Sequence, residues 1–127
     1  MACPYFFPEE PLDGPRPARA PLGDVFGGRC GLSGGSPARA VLVEACNFGY
    51  AQARCGCYPP ANACDALRFT APYTDAARVE VTWGREKDWG PVEFGRLTYS
   101  RASGRLTPEP ADEALARQAR VFAARCA

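Results

Sequence analysis

Val79-Glu80-Val81-Thr82-Trp83, followed after a short gap by Val92-Glu93-Phe94-Gly95-Arg96-Leu97-Thr98-Tyr99, is the stretch of this 127-residue chain whose pattern decides the fold. Apolar residues alternate with polar ones at Val79, Val81 and Trp83, the period of two that marks a strand with one buried face. Val92 and Phe94 share a face. Leu97 and Tyr99 share one after a slip of phase, and Gly95 sits at the slip, so a bulge is expected there. Lys87-Asp88-Trp89-Gly90 reads as the turn between the two strands.

Working outward, Ala66–Thr70 reads as a further short strand with Leu67 and Phe69 on one face. The turn Ala102-Ser103-Gly104 can return a brief strand at Arg105–Thr107. A last helix is expected over about 109–125. Glu109, Asp112 and Glu113 stand in its first turn and Arg117, Arg120 and Arg125 later, which suits the helix dipole. Leu115, Ala119, Phe122 and Cys126 recur at helical intervals and form a core-facing stripe. The second half therefore reads as a small antiparallel sheet of about three strands closed by a C-terminal helix.

The first half has a different texture. Residues 1–35 are rich in Pro and Gly, which works against long regular elements. Tyr5, Phe6, Phe7, Leu12, Leu22, Val25 and Phe26 still give the segment apolar anchors. It reads as an ordered but irregular wrap. One helix is expected from Ser36 as N-cap, with Pro37 at the first helical position, through to Cys46. Asn47-Phe48-Gly49 breaks or kinks it, and Tyr58-Pro59-Pro60 ends any continuation. The fold class is thus α+β in one domain, 1–127, with a cysteine-rich half at 1–64 and a sheet-and-helix half at 65–127.

Composition excludes several kinds of chemistry. The chain has no histidine, so it contains no Ser–His or Cys–His pair and no His-ligated zinc or haem. Lys87 is the single lysine, and a Schiff-base enzyme would depend on it alone. Net charge is +1, and neither half carries a basic excess, so a nucleic-acid partner working through phosphates is not expected. No run approaches the roughly 20 apolar residues that span a bilayer. The N-terminus lacks a basic region before its apolar residues, so no secretory signal is read there. A cytoplasmic location without membrane attachment is the expectation, and cysteines stay reduced in that compartment unless something binds them.

Six of seven cysteines (Cys3, Cys30, Cys46, Cys55, Cys57 and Cys64) fall in the first half, where regular structure is expected to be poorest. Cys126 lies on the apolar stripe and reads as a small hydrophobe. Three readings of the six stay open. A disulfide framework suits neither an odd total nor the expected compartment. Structural zinc usually takes closely spaced cysteine pairs, and the nearest spacings here are Cys55-x-Cys57 and Cys57 to Cys64. An iron–sulfur cluster of the [4Fe–4S] type takes four thiolates, and its separated irons accept ligands from distant segments. Cys3, Cys30, Cys46 and Cys55, with 26, 15 and 8 residues between them, suit that geometry best. Cys57 is the alternative fourth ligand.

Glycines beside Cys30 and Cys55 would let backbone N–H groups approach the sulfurs. Aromatics near Cys3, Cys30, Cys46 and Cys57 would control solvent access, although core packing explains them equally well. Helix geometry tests the set. Cys46 and Cys55 are nine residues apart, about 900° at roughly 100° per residue, on opposite faces of a straight helix. They can share one centre only if the helix breaks between them.

Cys3-Pro4-Tyr5-Phe6, the Gly27-Gly28-Arg29-Cys30 region and Cys46-Asn47-Phe48-Gly49-Tyr50-Ala51 together resemble small uncharacterised bacterial proteins with a CPYF opening and a CNxGYA motif. The likeness extends over most of the chain, including Val92–Tyr99. It implies Cys55 rather than Cys57 as the fourth position, and it brings no activity with it.

Other constellations carry less. Glu80, Glu86, Asp88 and Glu93 border the hairpin, and solvated charges on an open sheet face are expected there rather than an acid–base pair. Gly27-Gly28 and Gly34-Gly35 lack the spacing and partners of a phosphate loop. Cys55-Gly56-Cys57 has the form of a vicinal redox pair, yet no neighbouring base would activate it. A metal protein in electron transfer or redox sensing, acting with a protein partner, is the leading expectation. The other is a non-catalytic interaction module with zinc or free cysteines.

Overall fold

Two antiparallel sheets and two helices make up the computed structural model, which describes residues 1–14 and 20–127. The mixed α+β class agrees with the sequence reading, but strand content is higher than expected and the sheets are counted differently. β1 (Phe6–Pro11) pairs with β2 (Phe26–Cys30). α1 (Arg39–Val41) runs directly into a π-helical turn at Leu42–Cys46. Then follow β3 (Ala66–Thr74), β4 (Arg78–Lys87), β5 (Gly90–Ser100), β6 (Leu106–Thr107) and α2 (Glu113–Arg125). The larger sheet has four strands in the order β3-β4-β5-β6, not about three. Among the described residues no helix is long and apolar enough to cross a membrane.

The core of the larger sheet is what alternation dictates. Leu67, Phe69, Val79, Val81 and Leu97 are buried under α2, whose Leu115, Ala119 and Ala123 face them. Phe69 and Phe122 stack with ring centres 5.7 Å apart. α2 starts at Glu113, later than 109, because Asp112 caps it. One Asp112 carboxylate oxygen accepts the Leu115 N–H at 3.1 Å, and the other accepts Arg85 Nη1 at 3.0 Å.

Three expectations in this half need correction. No bulge occurs at Gly95, which pairs squarely with Trp83, and the irregularity lies between Arg85 and Glu86, opposite Val92. Gly95 serves packing instead. The Trp83 ring lies over it, and a Cβ there would stand 2.5 Å from that ring. With β5 unbroken from Glu93 onward, the apolar residues simply change face. Leu97 is buried, whereas Val92 and Phe94 are left on the solvent side. The second correction is Glu86, which is buried rather than solvated, holding Arg68 Nε at 2.7 Å and Tyr50 Oη at 2.9 Å. The third is strand length, since β3 continues to Thr74.

The Pro- and Gly-rich segment reads in sequence as an irregular wrap, but among its described residues Phe6–Pro11 and Phe26–Cys30 form a two-stranded ladder. Phe6 and Pro8 alternate inward along β1, and Gly28 lets β2 approach so closely that a Cβ would stand 2.0 Å from the Phe7 carbonyl oxygen. A two-stranded ladder tolerates the prolines because half of its N–H groups face outward. The helix also starts later than Ser36. Ala38 occupies the N-cap position and makes no side-chain cap bond. Ala2 and Leu67 exchange both backbone hydrogen bonds at 2.7 Å, which fixes the chain start to the β3 edge.

Candidate metal centre

Cys46 closes the π-helical turn, and the chain leaves the helix there. The Asn47 N–H reaches back five residues to the Leu42 carbonyl at 3.1 Å, and Gly49 and Tyr50 take positive φ values of 75° and 51°. The break falls at Asn47-Phe48-Gly49, where the sequence placed it. The turn at Tyr50–Cys55 then brings Cys55 back, its N–H donating to the Ala51 carbonyl at 2.8 Å.

Cys3 joins from the chain start, where its N–H donates to the Cys46 carbonyl at 3.0 Å. The Gln118 amide of α2 steadies it from below, donating to the Cys3 and Phe6 carbonyls at 2.7 and 2.8 Å. Cys30 ends β2 opposite Phe6, and its carbonyl accepts the Gly34 N–H at 2.8 Å. Cys3, Cys30, Cys46 and Cys55, with Cys57, line one cavity of about 210 Å³. Tyr5 and Tyr58, an edge-to-face pair 5.6 Å apart, wall it on one side, and Leu32, Pro37 and Val41 supply further apolar lining.

All seven cysteines are free thiols. Cys3 is 7% exposed and Cys46 6%. Burial above all, with the charges that Cys30 and Cys55 would carry adding in the same direction, pushes both thiols up to about 12. That shared influence places the four sulfurs in one electrostatic neighbourhood. Cys57 is exposed and hydrogen-bonded to Cys55, whose charge is the main reason its thiol is raised. Cys64 is buried outside the cavity. Burial raises its thiol, against the pull of a hydrogen bond with Arg85. Cys126 donates to the Phe122 carbonyl at 3.4 Å, away from the other six. Among the described residues no three Cys, Asp or Glu side chains are grouped as ligands for a single metal ion.

Two supporting residues escaped the sequence reading. Asn47 entered it only as a helix breaker, yet its side chain is fully buried and ties the two ligand-bearing segments together. Its oxygen accepts the Phe26 N–H at 2.9 Å, while its nitrogen donates to the Phe26 and Leu42 carbonyls, both at 2.9 Å. A polar residue just after an apolar helical run was the available signal. Gln118 was hidden in the α2 sequence as one more polar residue, and its position just before Ala119 on the core stripe was the only hint.

Comparison of the chain with protein-family models, with curated proteins and with solved structures yields no match.

Proposed function

We propose that this protein binds an iron–sulfur cluster of the [4Fe–4S] type through Cys3, Cys30, Cys46 and Cys55 and works in electron transfer or redox sensing. One observation carries the reading. Four thiols from four separate segments line a single, largely apolar cavity of about 210 Å³. The two buried thiols among them, Cys3 and Cys46, resist ionisation as free groups and gain most from a bound cation, which deprotonates a coordinating thiol outright. A tetrahedral zinc ion needs its ligands drawn onto one point, whereas a cubane needs them spread around a space. The thiols here surround a space and do not converge by threes.

When bound, the cluster would supply one-electron chemistry. The chain's own contribution is to hold the thiolates, to exclude water with Tyr5 and Tyr58, and to keep one side of the site near the surface at Cys57. Its partner would be a protein that gives or takes electrons, in a reducing compartment such as the cytoplasm.

The test is anaerobic purification, or reconstitution with ferrous iron and sulfide, followed by metal and acid-labile sulfide analysis and visible absorption. Brown protein with iron and sulfide in equal amounts is expected. Cys3→Ser and Cys46→Ser should each lose the cluster, while Cys126→Ser keeps it. Colourless protein with stoichiometric zinc, or folded protein that takes up no metal, overturns the proposal. Equal iron loss in all three variants overturns the ligand assignment.

A further inference from the structure

Cys57 is a fifth thiol at the cavity, one more than a four-thiolate centre takes, and it is placed unlike the others. Cys3 and Cys46 are buried and Cys30 and Cys55 half-buried, whereas Cys57 is exposed. Its thiol is hydrogen-bonded to the Cys55 side chain, so the two sulfurs already point at one another. A turn makes that contact. The Tyr58 N–H donates to the Cys55 carbonyl at 3.3 Å, folding Cys55-Gly56-Cys57-Tyr58 back on itself. Two residues of extended chain span about 7 Å and a turn shortens that, which brings the two Cα atoms into the roughly 4.4–6.8 Å that a disulfide accepts. Gly56 between them has open space beside it and can take the backbone angles that a closed ring demands.

We infer that Cys55 and Cys57 form a disulfide when the cavity is empty and, on the ligand assignment proposed above, that this bond withdraws the site from cluster binding. The oxidant is a low-molecular-weight disulfide such as oxidised glutathione. The Cys57 sulfur attacks one glutathione sulfur. A protein–glutathione S–S bond forms, the glutathione S–S bond breaks, and one glutathione leaves as a thiol carrying the Cys57 proton. The Cys55 sulfur then attacks the Cys57 sulfur, and the second glutathione leaves as a thiol carrying the Cys55 proton. Two protein thiols are oxidised and one small disulfide is reduced to two thiols. The chain has no histidine to activate the pair, so the exchange is slow and stoichiometric, not catalytic.

The bond takes the proposed fourth ligand and its substitute together. Cys3, Cys30 and Cys46 remain at the cavity, one thiol short of a cluster's complement. With Cys55 held as a ligand, by contrast, Cys57 can go no further than a mixed disulfide. The pair thus records whether the site is filled. An exposed disulfide belongs to the labile kind that small thiols reopen, so the closure is reversible.

Incubation of the reduced, metal-free chain with oxidised glutathione for several hours, followed by peptide mapping, tests the inference. Free thiols should fall by two with no glutathione left attached, and the tryptic peptide that begins at Cys55 should be about 2 Da lighter. That peptide also holds Cys64, and fragmentation before Pro59 separates it from the pair. Cys55→Ser should leave glutathione on Cys57, whereas Cys30→Ser should keep the disulfide. Chain loaded beforehand with iron and sulfide should show no Cys55–Cys57 bond. Empty chain in which both thiols stay free or carry only glutathione overturns the inference, as does a bond from Cys57 to any cysteine other than Cys55. Equal yield of the bond in loaded and empty chain overturns its link to occupancy. Reduced chain that takes up no cluster overturns the functional reading and the closure that rests on it, while the mapping of empty chain decides by itself whether the bond forms.

Discussion

The four-stranded sheet with α2 and the cysteine-bearing half share one core but are braced differently. In the sheet, continuous ladders join β3, β4 and β5 over most of their length, and Leu67, Val79, Val81 and Leu115 are sealed between sheet and helix. In the cysteine half, regular elements are two short strands and one brief helix. Phe6, Leu22, Phe26 and Leu42 are buried in the same core, and hydrogen bonds of Cys3 to Cys46, Asn47 to Phe26 and Leu42, and Gln118 to Cys3 set where the thiol-bearing segments stand within it. The first region stands on area removed from water. The second is organised around a cavity, with polar struts setting where each thiol stands.

The largest predicted effect strikes the region both halves need. Leu115→Ala should cost about 2–5 kcal/mol, the range for a buried Leu whose neighbours cannot close the gap. Denaturant unfolding should show one transition moved to lower concentration for the whole chain. Two separated transitions would mean that the halves are more independent than their shared contacts imply.

Asn47→Ala comes next. It leaves the Phe26 N–H without its acceptor and the Phe26 carbonyl without its side-chain donor, while the Leu42 carbonyl keeps the backbone N–H of residue 47; a buried group left unsatisfied costs about 1–3 kcal/mol. Because the struts are local, loss of protection in amide exchange should concentrate at Phe26–Cys30 and Leu42–Cys55, with the β4–β5 ladder unchanged. Uniform loss across the sheet would refute the division drawn above.

A pH series sharpens the contrast further. As free thiols, Cys3 and Cys46 have pKa values of about 12 against an ordinary 9.0. The folded chain therefore holds these protons where the unfolded chain has released them. Stability is fully present below pH 9 and falls as pH climbs from 9 toward 12. The metal-free protein should unfold at lower denaturant at pH 10 than at pH 8, and Cys3→Ser together with Cys46→Ser should flatten that slope. Protein carrying a cluster has no such protons to lose and should show no fall from these two residues.

These differences also explain what could be read in advance. Period-two alternation at Val79–Trp83 and helical spacing at Leu115–Cys126 report burial directly, so the sheet and α2 were legible to within a few residues. β1 and β2 were not, because prolines at 8 and 11 and glycines at 27 and 28 are turn signals by default. Their use in a ladder depends on which N–H groups face outward, a tertiary fact. The break after Cys46 was legible from Asn47-Phe48-Gly49, and with it the common placement of Cys46 and Cys55. The buried task of Asn47 was not, since one polar residue carries no record of the three backbone groups it joins. Gly95 misled for a related reason. A change of face in the apolar pattern looks the same in sequence whether the strand bulges or runs on and leaves Phe94 in solvent.

The smallest predicted effect probes the seam between the regions. Asp88 and Trp89 turn the β4–β5 hairpin at positive φ values of 52° and 65°, a conformation that suits a type I′ turn and costs a bulky residue. Among the described residues, the four non-glycine positions at positive φ are these two with Tyr50 and Ala53, and all four border one cleft. Across it Trp89, though 73% exposed, stacks on Tyr50 with ring centres 3.7 Å apart and planes 4° from parallel. Asp65 joins the same seam, its carboxylate accepting the Asp88 N–H at 2.8 Å and its carbonyl the Tyr50 N–H at 3.0 Å. Trp89→Gly relieves the turn by about 1 kcal/mol and gives up about 0.5–1.5 kcal/mol of stacking. Global stability should then move by less than about 1 kcal/mol in either direction. The loop from Tyr50 to Cys55 loses its aromatic anchor, and its amides should exchange faster while those of the hairpin do not. If Tyr50–Cys55 keeps its protection in Trp89→Gly, the sheet does not steady the cysteine loop through this stack, and the hydrogen bonds of Tyr50 to Asp65 and Glu86 carry that connection.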